Sequence, residues 1–218
     1  MFEGYWLCKI QNLNMKIVCI GRNYVAHIEE LKNEMPEEPV FFMKPDSSLL
    51  EGNRPFEIPA WSNNLHHEIE LVLRIAQTGK HISREQAGKY FGEIGLGIDF
   101  TARDVQTQLA SKGLPWEKAK AFDQSAVLGT PFIPLRAIGD PGAISFHLDI
   151  NGNTVQQGDS GLMIFTFEEI IVHISKYVTL HAGDLIYTGT PAGVGPVHPG
   201  DHLKGYLGTE KLLDFYCV

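Results

Sequence analysis

Short apolar or alternating runs, each closed off by glycine or proline, constrain this chain more than any other feature. Lys16–Ile20, Val40–Met43, Glu68–Ile75, Glu93–Phe100, Ala143–Ile150 and Asp184–Thr188 all have strand length and strand composition. Pro36, Pro39, Pro45, Pro55 and Pro59 punctuate one stretch, and glycine and proline recur through Thr188–Pro199. Asn151-Gly152 separates two further runs, and that dipeptide signals a two-residue hairpin turn. Only three segments read as helices. Ser83 with Gln86 forms a capping-box pattern before Arg84–Phe91, Thr101 is placed to cap Ala102–Lys112, and Thr166 with Glu169 opens a third. In that third helix Phe167, Ile170, Ile171 and Ile174 make one apolar stripe, which is core packing. Strands without regular βα alternation predict a mostly β domain with a few helices, of α+β class, spanning residues 1–218 as one domain.

Charge narrows the function classes. The net charge of −8 argues against a nucleic-acid binder or a protein held on an anionic membrane. Met1–Asn14 lacks a basic region followed by a long apolar core, and no run reaches the roughly 18 apolar residues of a membrane span. Cys8, Cys19 and Cys217 fit no metal-ligand spacing and read as idle thiols in a reducing compartment. A cytoplasmic location is the resulting expectation.

His66-His67-Glu68-Ile69-Glu70-Leu71-Val72-Leu73 carries the most chemistry. On one strand Glu68 and Glu70 share a face, opposite Ile69, Leu71 and Leu73. Two ionised carboxylates at ~4 Å repel by about 4 kcal/mol at an effective dielectric near 20, so a pair kept out of water needs a partner. The ordinary use of such a pair is a solvated sheet face. Asp99, at the end of Gly95–Phe100 and just before Thr101, is placed to join the pair at a site. Three converging carboxylates require protons or a dication, and oxygen-only ligands suit Mg²⁺, with Mn²⁺ or Ca²⁺ as variants. Other metal and nucleotide motifs fail: residue 71, where a zincin needs its second histidine, is Leu71, and Gly95-Leu96-Gly97 lacks a third glycine at Phe100.

Three further segments hold polar groups with both ordinary and functional uses. His27 and Glu30 stand one helical turn apart, as a surface pair or as a general base with its orienting carboxylate, and the loop-like Asn33–Pro39 stretch makes that turn a candidate lid. Lys120 sits among Ala119, Ala121 and Phe122, and Arg103 and Gln106 follow Asp99 one turn apart. Thr188–Gly195 is a glycine-rich loop, either a tight connection or an anion cradle.

GRNYVAHIEEL, FFMKP, HHEIELVL, GIDFTARDVQ, GLPWEKAKAFD and GDLIYTGTPAGVGPV, in that order, resemble the fumarylacetoacetate hydrolase family, and within it the small acylpyruvate hydrolases. The resemblance implies a mixed β-roll assembled as a homodimer, with Glu68, Glu70 and Asp99 as Mg²⁺ ligands and His27 with Glu30 as a water-activating pair on a lid. It further implies Lys120 on the substrate oxygens, a pocket completed by Arg103, Gln106 and Thr190, and Arg22 and Lys44 on a substrate carboxylate. Larger relatives carry a fourth acidic ligand upstream of the histidine, and Cys19-Ile20-Gly21-Arg22 offers none. The implied substrate is a small keto acid. The implied reaction is hydrolysis of a 3-acylpyruvate to pyruvate and a carboxylic acid, with oxaloacetate decarboxylation or keto–enol tautomerisation as alternatives on the same site.

Overall fold

The computed structural model describes residues 15–218; the Met1–Asn14 segment and Cys8 lie outside them. The strands are Ile17–Gly21 (β1), Val40–Lys44 (β2), Leu49–Glu51 (β3), Leu65–His67 (β4), Ile69–Ile75 (β5), Phe91–Asp99 (β6), Thr101–Ala102 (β7), Ala126–Leu128 (β8), Ile133–Pro134 (β9), Ser145–Ile150 (β10), Asn153–Asp159 (β11), Leu185–Tyr187 (β12), Gly195–Pro196 (β13), His202–Leu207 (β14) and Glu210–Tyr216 (β15). The helices are Val25–Glu30 (α1), Arg84–Ala87 (α2), Arg103–Ala110 (α3), Glu117–Lys120 (α4), Leu135–Ile138 (α5) and Phe167–Tyr177 (α6).

Eight strands form the main sheet, in the order β2-β1-β12-β5-β6-β8-β3 with β9 beside β6. Only β1–β12 and β3–β8 are parallel pairs within it. β5 is buried on both faces except at Arg74, which explains its nearly unbroken apolar sequence. Its neighbour β6 carries Gly97 because a Cβ there would lie 2.5 Å from the Tyr187 ring and 2.8 Å from the Val127 carbonyl oxygen. A second sheet, β11-β10-β14-β15, shares one apolar core with the first through Leu71, Leu96, Phe146, Leu203 and Leu213. The mostly β, α+β architecture predicted from the sequence is present.

Local signals held where their side chains met the expected partners. Asn151 and Gly152 adopt φ of 52° and 83° and join β10 to β11, as a turn of inverted handedness should. Thr166 and Glu169 form the reciprocal cap of α6, whose Phe167, Ile170, Ile171 and Ile174 are buried. Three expectations need correction. The Arg84–Phe91 helix stops at Ala87, and Ser83 makes no side-chain cap, because Tyr90 and Phe91 are drawn into pairing with Ala76 and Ile75. Thr101 caps nothing: it belongs to β7, and its hydroxyl is turned to the Asp99 carbonyl and to Lys120. The strand expected over Glu68–Ile75 is broken at Glu68, where the chain leaves β4, in a small sheet with β13 and β7, and enters β5 in the main sheet.

Candidate active site

The break at Glu68 builds the floor of the site. Asp99 donates its backbone N–H to the Glu68 carbonyl at 2.8 Å, and Ile98 stands opposite Ile69. The last residue of β6 therefore faces the kink. One carboxylate oxygen from each of Glu68, Glu70 and Asp99 falls within 4.8 Å of the other two. All three residues are at most 5% exposed.

Cations compensate two of these charges and neglect the third. Lys120 Nζ reaches Glu68 Oε2 and Asp99 Oδ2, each at 2.8 Å, and Thr101 Oγ1 at 2.5 Å. Arg103 pairs with Glu68 from the other side. Burial pushes the Glu68 carboxyl up, but Lys120 and Arg103 outweigh it and hold the group ionised, well below the usual range. Burial likewise works against the Lys120 ammonium, and Asp99 and Glu68 overcome it, so its pKa rises. Glu70 receives one backbone donor, Gly189 N at 2.7 Å. Burial, then the Asp99 and Glu68 charges, drive its pKa well up.

A hard dication fits this arrangement. Asp99 Oδ1 is buried with no hydrogen-bond partner; the Lys44 ammonium 2.8 Å away pairs with its charge, and the oxygen keeps a lone pair for coordination. Glu70 needs positive charge to ionise, and every donor is a carboxylate oxygen.

The imidazole is supplied by a different element, α1. After β1 the chain turns through Arg22 at φ 60° into α1, where His27 Nδ1 meets Glu30 Oε2 at 3.2 Å. Glu30 Oε1 accepts from Gly193 N at 3.0 Å, which ties the helix to the glycine-rich loop. With Nδ1 engaged, Nε2 is the nitrogen of His27 left for a substrate. That loop uses its glycines: Gly189 (φ +100°) would bring a Cβ within 2.7 Å of Asn23 Cβ, and Gly193 (φ +99°) within 2.3 Å of the Val155 carbonyl oxygen.

Between floor and imidazole lies a cavity of about 490 Å³, which also meets Arg22, Arg103, Gln106, Thr190 and Trp116. Arg103 Nη1 donates to Gln106 Oε1 at 2.6 Å, fixing the two side chains together. His66, pushed down to about 4 by burial and by Arg103, stays neutral beside that guanidinium.

Two expected substrate contacts, Lys120 and Lys44, are placed in and behind the floor. Lys120 lines the cavity, and its ammonium donates to Glu68, Asp99 and Thr101, so it also holds the floor in place. Lys44 lies behind the floor, fully buried against Asp99, Ser125 and the Lys120 carbonyl, and does not line the cavity. Two residues that sequence reasoning passed over hold the site together. Asn23 fastens the β1–α1 corner by donating to the Thr188 and Phe165 carbonyls and accepting from Phe165 N. Gln156 of β11 accepts from His67 Nδ1 and Ile69 N and donates to Thr190 Oγ1 and the Pro191 carbonyl. Neither has a local pattern, because their partners lie 34 to 165 residues away.

A mixed β fold that opens a buried carboxylate trio and an imidazole–carboxylate pair onto one cavity defines a metal-dependent enzyme. The chain belongs to the fumarylacetoacetate hydrolase family: residues 16–211 match the sequence model for the fumarylacetoacetate (FAA) hydrolase C-terminal region. It is 43% identical over 189 residues to oxaloacetate tautomerase YcgM of Escherichia coli (strain K12), covering 86% of each chain. It is 42% identical to a mitochondrial oxaloacetate decarboxylase of Dictyostelium discoideum, covering 96% of this chain and 97% of that one. Among solved structures, fumarylpyruvate hydrolase from Pseudomonas aeruginosa in complex with Mn²⁺ and pyruvate superposes with a TM-score of 0.87 at 35% identity, covering 93% of this chain and 89% of that chain.

Proposed function

We propose that this chain catalyses keto–enol tautomerisation of oxaloacetate and related 2-oxo diacids, with decarboxylation as a reaction the same site supports. The observation that carries the reading is one cavity lined by His27, by the carboxylate trio, and by Arg22 and Arg103. The 42–43% identical relatives named for oxaloacetate chemistry favour this substrate over the acylpyruvate expected from the sequence.

A divalent ion held by Glu68, Glu70 and Asp99, for which Mg²⁺ is our choice and Mn²⁺ the nearest substitute, would supply positive charge to the 2-oxo acid end of the substrate. His27 Nε2 takes a proton from C3; the electron pair of that C–H bond becomes the C2–C3 double bond, the carbonyl π pair moves to the C2 oxygen, that oxygen takes a proton from water, and the imidazolium returns its proton to the resulting hydroxide. Glu30 keeps the imidazole proton on Nδ1 and stabilises the imidazolium while it exists. Arg22 and the Arg103–Gln106 pair bind carboxylate. Lys120 keeps Glu68 ionised, and its bonds to Glu68, Asp99 and Thr101 keep the two carboxylates aimed. In decarboxylation the pair from the C3–C4 bond moves the same way as CO₂ departs, and no proton need be removed first.

Acylpyruvate hydrolysis is the second reading, supported by the His27–Glu30 pair, which is equally suited to activating water, and by the likeness to fumarylpyruvate hydrolase. Homodimeric assembly, implied by the family, belongs to the proposal and is read by sedimentation.

The test follows enol-oxaloacetate by ultraviolet absorbance and pyruvate by a coupled assay, with Mg²⁺ or Mn²⁺ and against a metal-only background. His27→Ala should lose at least 100-fold in tautomerisation, at the lower end of the ~10²–10⁴-fold range of general acid–base catalysis, while keeping its metal affinity and retaining more decarboxylation. Tautomerisation unchanged in His27→Ala, or insensitive to chelator, would overturn the reading.

A further inference from the structure

Lys44 ends β2 and carries its charge into the interior on a fully buried side chain. Burial opposes such a charge, so the groups around it decide whether it is held. Its ammonium meets four oxygens: Asp99 Oδ1 at 2.8 Å, Ser125 Oγ at 3.0 Å, the Ser125 carbonyl at 3.1 Å, and the Lys120 carbonyl. Three of the four belong to one short loop closed on itself. Between Lys120, the last residue of α4, and Ser125, just before β8, the chain turns back through Gln124 at φ 62°. Ser125 N donates to the Phe122 carbonyl at 3.1 Å, and Ser125 Oγ donates to the Lys120 carbonyl at 2.9 Å. The Ser125 carbonyl also accepts from Phe100 N at 2.9 Å, which ties the loop to the residue after Asp99. Carbonyl, hydroxyl and carboxylate oxygens converging on a compact cation are the donor set of a monovalent-ion site, and here the ion is tethered to the chain.

We propose that Lys44 is a built-in monovalent cation: its ammonium organises the Lys120–Ser125 loop within this oxygen cage and thereby sets Asp99 and Lys120 at the spacing a dication needs. Both residues of the floor that the cage reaches are fixed through it, Asp99 by its carboxylate and Lys120 by its backbone carbonyl. Lys44 is a positioning residue, acting from behind the metal ligands rather than from within the cavity. The inference rests on the dication site proposed above and is independent of which 2-oxo acid is turned over.

The experiment is chemical rescue, read by calorimetric Mn²⁺ binding and by the Tm of the metal-free protein. Lys44→Ala deletes the atoms from Cγ to Nζ, which n-propylammonium replaces, whereas n-propanol fills the same space without the charge. Lys44→Ala should lose roughly 6–20 °C in Tm, the consequence of breaking a buried ion pair in a domain of this size. Its Mn²⁺ affinity should fall about 10–100-fold, as for loss of other outer-shell partners. n-Propylammonium should restore both, saturably, while n-propanol and NaCl at equal concentration restore neither. If Lys44→Ala does not fold alone, refolding with the amine or with the alcohol gives the same comparison. Lys44→Met keeps the hydrocarbon and should show the same loss of Mn²⁺ affinity with no response to the amine. Equal action of amine and alcohol would reduce Lys44 to packing and overturn the proposal, as would wild-type Mn²⁺ affinity in Lys44→Met. Wild-type protein that binds no Mn²⁺ would defeat the dication reading and the positioning role with it, while the amine's effect on the metal-free Tm still decides whether the cage holds a cation.

Discussion

Replacing Gln156 by Leu removes a buried carboxamide with little change in volume and isolates what it does for the site. Its oxygen can only accept, so His67 carries a proton on Nδ1 and donates it at 2.8 Å, and Ile69 N donates at 3.0 Å. Its nitrogen donates at 2.9 Å to Thr190 Oγ1 and to the Pro191 carbonyl. Leucine would leave His67 Nδ1–H, Ile69 N–H and the Pro191 carbonyl without partners in a region where Gln156 is 1% exposed. At about 1–3 kcal/mol for each unsatisfied buried group, the loss is at least about 3 kcal/mol. In a domain of this size that lowers Tm by roughly 6–12 °C. Ile69 lies between Glu68 and Glu70, and Thr190 donates to the Ile69 carbonyl at 2.8 Å, so the same change loosens two metal ligands. Mn²⁺ affinity should fall about 10–100-fold, the usual cost of losing an outer-shell partner. Differential scanning calorimetry and Mn²⁺ titration measure the two effects. A wild-type Tm together with wild-type Mn²⁺ affinity in Gln156→Leu would refute the reasoning.

Two further outcomes follow from the buried charges. Glu70→Gln should raise the Tm of the metal-free protein, because burial and the neighbouring carboxylates oppose ionisation there, and should abolish measurable Mg²⁺ binding by calorimetry. His173 packs against Phe41 and Tyr177, and burial holds its pKa below the ordinary value against the pull of Glu38. The unfolded chain therefore takes up that proton first on acidification. Urea unfolding should show stability falling from about pH 7 to about pH 5, and His173→Phe should flatten part of that slope.

What could be read in advance depended on the range of the interactions involved. Thr166 and Glu169 cap α6 within four residues, and Asn151-Gly152 closes its own hairpin, so both signals are complete in the local sequence. Ser83 and Gln86 show a similar pattern, but pairing of Ile75 with Phe91 decides where that segment ends, and this pairing is not a local property. Period-two alternation located the acidic pair yet placed it on one continuous strand. The transfer of the chain between two sheets at Glu68 depends on partners such as Gly195 and Ala102, far along the sequence. The convergence of Asp99 with that pair was an expectation from strand-end placement, and the β5–β6 register realises it. Lys44 and Lys120 illustrate the limit: their charge was legible, whereas the side of the carboxylates each approaches is set only by packing.

The floor of this site stands on hydrogen-bonded strands, whereas the walls that meet the rest of a substrate come from α1, the Gly113–Trp116 turn and the edge strand β2. Two kinds of heritable change are thereby separated. Substitutions in the walls can retune which molecule is admitted and leave the charge-handling apparatus untouched, while few substitutions in the floor are neutral. A scaffold divided in this way can alter its diet without relearning its chemistry.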